Sequence, residues 1–259
     1  MHRSPGSEAT YPLSVQLLGI SVALSILGSL GGILVAATFL LLHEQIRGRL
    51  VPWLISYAVG TLVGVALLAL VPEALETLPA RITMLTMAAG ILSFFVLEKA
   101  VIWRHCHHDE DCHVHNTAAS LVIVGDAFHT FVDGAVIAAA VLSSVPLGIT
   151  TAIAVAAHEI PQEVGDVAIL LRAGYSRGRA LTLNVLSGAG GIAGAAAMVM
   201  ASRALPQVLP YVLAFAAGNF LYVAMSDLIP DLHRGNDTGG VRQFLLIFAG
   251  IVTIGLIQS

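Results

Sequence analysis

Eight apolar stretches, each long enough to cross a bilayer, take up most of the chain, at about 13–42, 51–75, 84–103, 117–143, 148–172, 179–203, 209–231 and 241–258. A membrane-spanning helix uses roughly 20 such residues, so the pattern predicts an all-α integral membrane protein of eight transmembrane helices. Charge agrees with that reading. Only 11% of the 259 residues are charged, against about 25% in a soluble domain, which excludes a soluble globule. Disorder is excluded by the same numbers, since it needs low hydrophobicity and high charge. Residues 1–12 read as a short polar extracytoplasmic tail, without the positive run and short apolar core of a signal peptide. Residues 13–259 read as one membrane domain, with the lipid bilayer as its first partner. A net charge of −4 with no basic face argues against nucleic acid.

Cations near span ends stay cytoplasmic. Arg47, Arg49, Lys99, Arg104, Arg172, Arg177, Arg179, Arg234 and Arg242 fall on one side of the alternating links, and Arg3, Arg81 and Arg203 on the other. Nine against three, covering all twelve cations, puts the first set in the cytosol and both termini outside.

An internal repeat is visible. Gly60 through Pro72-Glu73 matches Gly218 through Pro230-Asp231, Gly31-Gly32-Ile33 matches Gly190-Gly191-Ile192, and Ala89-Gly90-Ile91 matches Ala249-Gly250-Ile251. The offsets are 158, 159 and 160 residues, so three weak matches agree on one alignment. Spans 1–3 then resemble spans 6–8 with inverted topology, giving a 3+2+3 plan around spans 4 and 5. Inverted repeats are the architecture of secondary transporters, whose sites lie near midplane.

Spans 4 and 5 carry the chemistry. A charge inside hydrocarbon costs at least about 2.5–3.5 kcal/mol, yet span 4 reads VGDAFHTFVDGAV and span 5 AVAAHEIPQEVGDVAIL. At 100° per residue, Asp126, His129, Thr130 and Asp133 share an arc of about 100°, and His158, Glu159, Gln162, Glu163 and Asp166 one of about 140°. Neither stripe can face lipid, so the two must face each other or a wet cavity. His129 with Asp133, His158 with Gln162, and Glu159 with Glu163 are i,i+4 pairs. Imidazole with carboxylate suits zinc and neighbouring divalent ions, and the adjacent Glu pair makes two metal positions plausible. Pro161 should kink span 5 within the stripe. An isolated His–Asp pair is usually a helix–helix clamp; this many ligand groups on two stripes argues for metal. The competing reading is an intramembrane zinc hydrolase, although the run is His-Glu-x-x-Gln rather than His-Glu-x-x-His.

Asn184 and Ser187 on span 6 either line the same cavity or act as interhelical glue. Asp227 either lines a path or packs, and Glu73 and Asp231 read as cap or mouth residues. The segment 104–116 concentrates His105, Cys106, His107, His108, Cys112, His113 and His115 with three acids. It reads as a flexible cytosolic zinc binder without zinc-finger spacing. Its two cysteines make no disulfide framework.

The motifs GDAFHTFVDG, HEIPQEVGD, LVPEAL and FLYVAMSDLIPDL resemble the ZIP (Zrt/Irt-like) divalent metal transporters across all eight spans, most of all the subfamily whose fifth helix reads HExPHExGD. The resemblance implies a 3+2+3 protein of the plasma or inner membrane that carries zinc, or cadmium, iron or manganese, into the cytosol, with no organic cofactor. It implies a binuclear centre: one metal on His129, Asp133, His158 and Gln162, the second on Asp133, Glu159 and either Gln162 or Glu163. It also implies alternating access, with helices 1, 4, 5 and 6 moving against 2, 3, 7 and 8. Two positions depart from the pattern, Gln162 where the subfamily has His and Thr130 where many members have Asn. No GxxxxGK[ST] motif is present, so membrane potential, gradient and cytosolic capture would drive flux. An exporter, a metal sensor and a homodimer stay open.

Overall fold

The computed structural model describes residues 10–39, 41–103, 114–234 and 239–259. Among these residues every regular element is helical, and the elements form eight rods. They are α1 (Thr10–Phe39), α2 (Glu44–Val65, continued by Ala66–Leu70 and Val71–Leu75), α3 (Ala80–Trp103) and α4 (Val114–Ser143). Then follow α5 (Val145–Arg172), α6 (Arg177–Ala204), α7 (Leu209–Tyr222, Val223–Leu228 and Ile229–Arg234) and α8 (Gly240–Gln258). Each coincides with one expected span to within a few residues. Val114 to Asn116, expected in the loop, join α4.

Seven of the eight are long and apolar enough to cross a membrane. The exception is α5, where His158, Glu159, Gln162 and Glu163 lower the hydropathy of a 28-residue helix. The expectation of eight apolar spans is corrected to that extent. The residues that make α5 interesting are the ones that disguise it.

Local chemistry fixes the α4–α5–α6 turns. The Ser144 hydroxyl accepts from the Leu147 amide at 3.3 Å, ahead of a first turn containing Pro146. At the other end of α5, Gly174 takes φ +88°. Tyr175 N–H then donates to Leu170 O and Gly174 N–H to Leu171 O, both at 3.1 Å, a Schellman closure. Ser176 caps α6 through the Arg179 amide at 3.3 Å.

Two rods change pitch partway. The segments Ala66–Leu70 of α2 and Val223–Leu228 of α7 are π-helical, and each runs up to a proline, Pro72 or Pro230. Proline lacks an N–H and clashes with the carbonyl four residues back, and a wide π turn relieves both. By contrast α5 stays α-helical through Pro161.

Glycines set the helix seams. A Cβ on Gly60 would run into the Ile247 carbonyl, and one on Gly250 would lie 2.6 Å from the Tyr57 carbonyl oxygen, so α2 and α8 meet backbone to backbone. Gly218 against Met87 O and Gly90 against Phe215 O do the same for α7 and α3. Along α4 and α6, Gly134 abuts Gly191 O, and Gly194 abuts Phe131 O. Helix α1 lies on α5 and α6, where Gly32 leaves room for the Glu159 Cβ at 3.2 Å. Small residues allow this approach where apolar burial gives no advantage over lipid.

Candidate metal centre

The close α4–α6 seam and the α1–α5 contact turn the polar stripes of α4 and α5 toward each other. The Nε2 atoms of His129 and His158 lie 3.2 Å apart, with the rings 5.4 Å apart and nearly perpendicular. Asp133 Oδ2 lies 3.1 Å from His158 Nε2 and 3.6 Å from His129 Nε2. Glu159 Oε1 lies 3.8 and 3.9 Å from the same two nitrogens. One ligand atom from each of the four residues falls within 4.8 Å of the others. Phe94 from α3 and Phe220 from α7 pack beside the two rings, at 6.0 and 5.9 Å. Asp133, His158 and Glu159 are buried and His129 is half-buried.

The tautomer of His158 follows from its neighbour. Nδ1 lies 3.1 Å from the Ala154 carbonyl oxygen, which can only accept, so Nδ1 carries the proton. In the neutral ring Nε2 then offers a lone pair to the group, the arrangement in which a ligating histidine is oriented through its other nitrogen. Lone pairs from nitrogen and oxygen converge here, and neither oxygen of Glu159 accepts a hydrogen bond. A proton or a metal cation is what such a group can hold.

One turn further along, Asp126, Glu159 and Glu163 form a second group, again with ligand oxygens within 4.8 Å. Glu159 belongs to both groups. Gln162 Nε2 donates to Asp126 Oδ1 at 3.4 Å, and Asn184 Nδ2 donates to Glu163 Oε2 at 2.6 Å. Asp126 Oδ2 and Glu163 Oε1 have no hydrogen-bond partner.

The expected residues therefore divide. His129, Asp133, His158 and Glu159 come together. Gln162, expected beside the imidazoles, reaches the acidic group through its amide, and Asp126, expected on the polar stripe of span 4, lies within that group. Asn184 touches that group, whereas Ser187 bonds its own helix at Leu183 O and Asn184 O. The Thr130 hydroxyl is engaged with Asp126 O, Ala127 O and, at 2.9 Å, Ser187 O, where it clamps α4 to α6. Asp166 is half-buried one turn beyond Glu163, and Asp227 lies exposed in the π turn of α7. Glu73 lines a separate cavity of about 470 Å³ with Thr77, Ser143, Gln207 and Tyr211, and Asp231 lies exposed near the end of α7. The His-rich segment 104–113 lies outside the described residues. Sequence reasoning paired Glu159 with Glu163 along α5; what it did not give is that Glu159 also reaches the two imidazoles across the seam.

Known proteins are similar to this sequence over part of its length. A family model described as ZIP Zinc transporter matches residues 103–258. The protein named Zinc transporter ZIP13 of Pongo abelii is 34% identical over 219 residues, covering 78% of this chain and 65% of the relative. ZIP13 of Mus musculus is 30% identical over 249 residues, covering 79% and 69%. Zinc transporter ZIP10 of Danio rerio is 39% identical over 139 residues, covering 52% of this chain. The chain thus spans about two thirds of the ZIP13 relatives' length and 16% of the ZIP10 relative's. The apolar helices make this a multi-pass membrane protein, and with these matches the chain belongs to the ZIP zinc transporter family.

Proposed function

We propose that the chain moves divalent metal ions across its membrane, with zinc as the principal substrate and cadmium, iron or manganese as further candidates. The metal is held between α4 and α5 by His129, Asp133, His158 and Glu159, with Gln162 and Glu163 beside them. The observation that carries this reading is the convergence of two imidazole nitrogens and two carboxylates in a buried seam, with neither Glu159 oxygen hydrogen-bonded. Two nitrogens with carboxylate oxygens form a donor set that zinc accepts. Inner-face carboxylates and a half-buried imidazole would let the ion exchange its water for protein ligands stepwise.

The repeat supports an eight-helix, 3+2+3 transport domain. Gly60 and Gly218 occupy matching positions and make matching seams, with Gly250 and Met87 O respectively, and each lies ahead of a π turn and a proline. Helices α1, α4, α5 and α6 pack on one another, and α2–α8 and α3–α7 form close pairs, which suits alternating access by one group moving against the other. Both termini outside follows the cation asymmetry, and inward flux in a plasma or inner membrane follows the family resemblance. A 2+ ion entering a negative interior gains about 4.6 kcal/mol per 100 mV, from about 2.3 per charge. Relatives bearing the name zinc transporter favour transport over hydrolysis.

The test is zinc and cadmium uptake into proteoliposomes by wild type, His158→Ala and Asp133→Ala. Uptake by wild type that both substitutions reduce to background supports the proposal. Equal uptake in all three overturns it.

A further inference from the structure

All four residues of the imidazole group belong to α4 and α5. What α3 and α7 bring against the two histidines is aromatic. The Phe94 ring stands between His129, at 6.0 Å and 68°, and Tyr222, at 6.4 Å and 58°. Phe220 meets His158 at 5.9 Å and 59°. These are the edge-on and tilted contacts that aromatic rings prefer at centroid separations of about 4.5–7 Å. The backbone sets where the rings stand. Gly90 lies one turn before Phe94 on α3, and Gly218 lies two residues before Phe220 and four before Tyr222 on α7. The same two glycines bring α3 and α7 backbone to backbone, against Phe215 O and Met87 O, so the rings have little room to retreat. Phe220 is 2% exposed and the His158 side chain 1%, whereas the His129 side chain keeps 12% and Phe94 is half-buried. The group is dry on the Phe220 side and more open beside His129.

We propose that Phe94 and Phe220 are positioning residues for the transported ion: an aromatic wall, carried by α3 and α7, that holds the two imidazole rings in place and keeps water out of the metal's coordination sphere, with Tyr222 backing Phe94. The inference rests on the reading of α4 and α5 as the metal site and adds the part played by the helices facing it. The apolar surround of a metal controls solvent access as much as the ligands control affinity. The Ala154 carbonyl already holds one nitrogen of His158, so the work of Phe220 is to exclude water. Truncating that ring opens a space bordered by ligand atoms, and water enters a cavity where it finds polar partners. A dry site favours the four-coordinate geometry common for zinc. Because the rings and the ligands stand on different helices, movement of one group against the other takes the ion away from the wall, and rehydration accompanies release.

The experiment loads Co2+, a spectroscopic stand-in for zinc, into the purified full chain in nanodiscs and reads its visible absorption, alongside zinc uptake into proteoliposomes. Four-coordinate Co2+ absorbs much more strongly than Co2+ that has gained water ligands. Wild type should show the intense spectrum. Phe220→Ala should lose that intensity and raise the KM for zinc uptake by about tenfold, the scale on which the outer partners of a metal act. Phe94→Ala should do the same to a smaller degree, because its neighbour His129 is already partly exposed. Phe220→Leu, which refills the space without polar atoms, should recover most of the intensity. A purely structural role would lower the yield of folded chain without altering the spectrum of what folds. Where Phe220→Ala gives no folded chain, Phe220→Val carries the same expectation. The proposal is overturned if wild type already shows the weak, water-bound spectrum, or if the truncated variants keep wild-type intensity and KM. A wild type that binds neither Co2+ nor zinc would overturn the transport reading as well, so the two failures are distinguishable.

Discussion

Where α2 meets α8, glycines bring backbone against backbone, and Gly60 and Gly250 leave no space for a methyl group. Where α4 meets α5, the contact is made by two histidines, two acids and, one turn on, two more acids. The first seam carries little ionisable chemistry: its polar cross-link is the Tyr57 hydroxyl, 3.3 Å from Thr253 Oγ1. The second contains carboxylate oxygens without hydrogen bonds and is incomplete without a cation or protons. In a bilayer, helix association relies on close packing and hydrogen bonding, so stability and chemistry are assigned to different seams. The glycine pairs can serve as the fixed part because their geometry tolerates no adjustment, and the polar pair can serve as the exchanging part because its ligands are satisfied only when loaded.

The comparison breaks first at the glycines. Gly60→Leu or Gly218→Leu should abolish recovery of folded protein, because a backbone carbonyl occupies the space, and the cost exceeds the about 1–3 kcal/mol of ordinary overpacking. The yield of monodisperse chain after detergent extraction reads this directly. Next, His158→Ala and Asp133→Ala should leave melting of the metal-free chain nearly unchanged while zinc affinity falls by about tenfold or more, measured by titration calorimetry. Acid should act on the polar seam alone. Metal ligands must be deprotonated to bind, so stability added by zinc should be present at neutral pH and decline as pH falls, with apparent KM for uptake rising in parallel. The smallest effect is expected at the His-rich segment. Deleting 105–115 should alter the response to external zinc and retain most uptake in proteoliposomes.

Much of this was legible before any coordinates, because the bilayer imposes periodic, strong signals. The eight apolar runs mark the helices to within a few residues, and the stripes of α4 and α5 face each other because no other surface can receive them. What the pattern could not show is which atom bonds which. Thr130 shares the stripe with His129, yet its hydroxyl also reaches the Ser187 carbonyl on α6, an acceptor that one helix alone cannot reveal. Gln162 is one turn from His158, and only the position of Asp126 across the seam draws its amide away. The π turns of α2 and α7 were hidden for a similar reason. Proline signals a disturbance at Pro72, Pro161 and Pro230 alike, and the surrounding packing decides whether the helix widens.

The most direct measurement is X-ray absorption at the zinc edge of the loaded, purified chain. The account predicts nitrogen and oxygen scatterers at about 2.0 Å, with the outer-shell pattern of two imidazoles, reduced to one in His158→Ala. A shell dominated by sulfur at about 2.3 Å, or a spectrum that His158→Ala leaves unchanged, would contradict it.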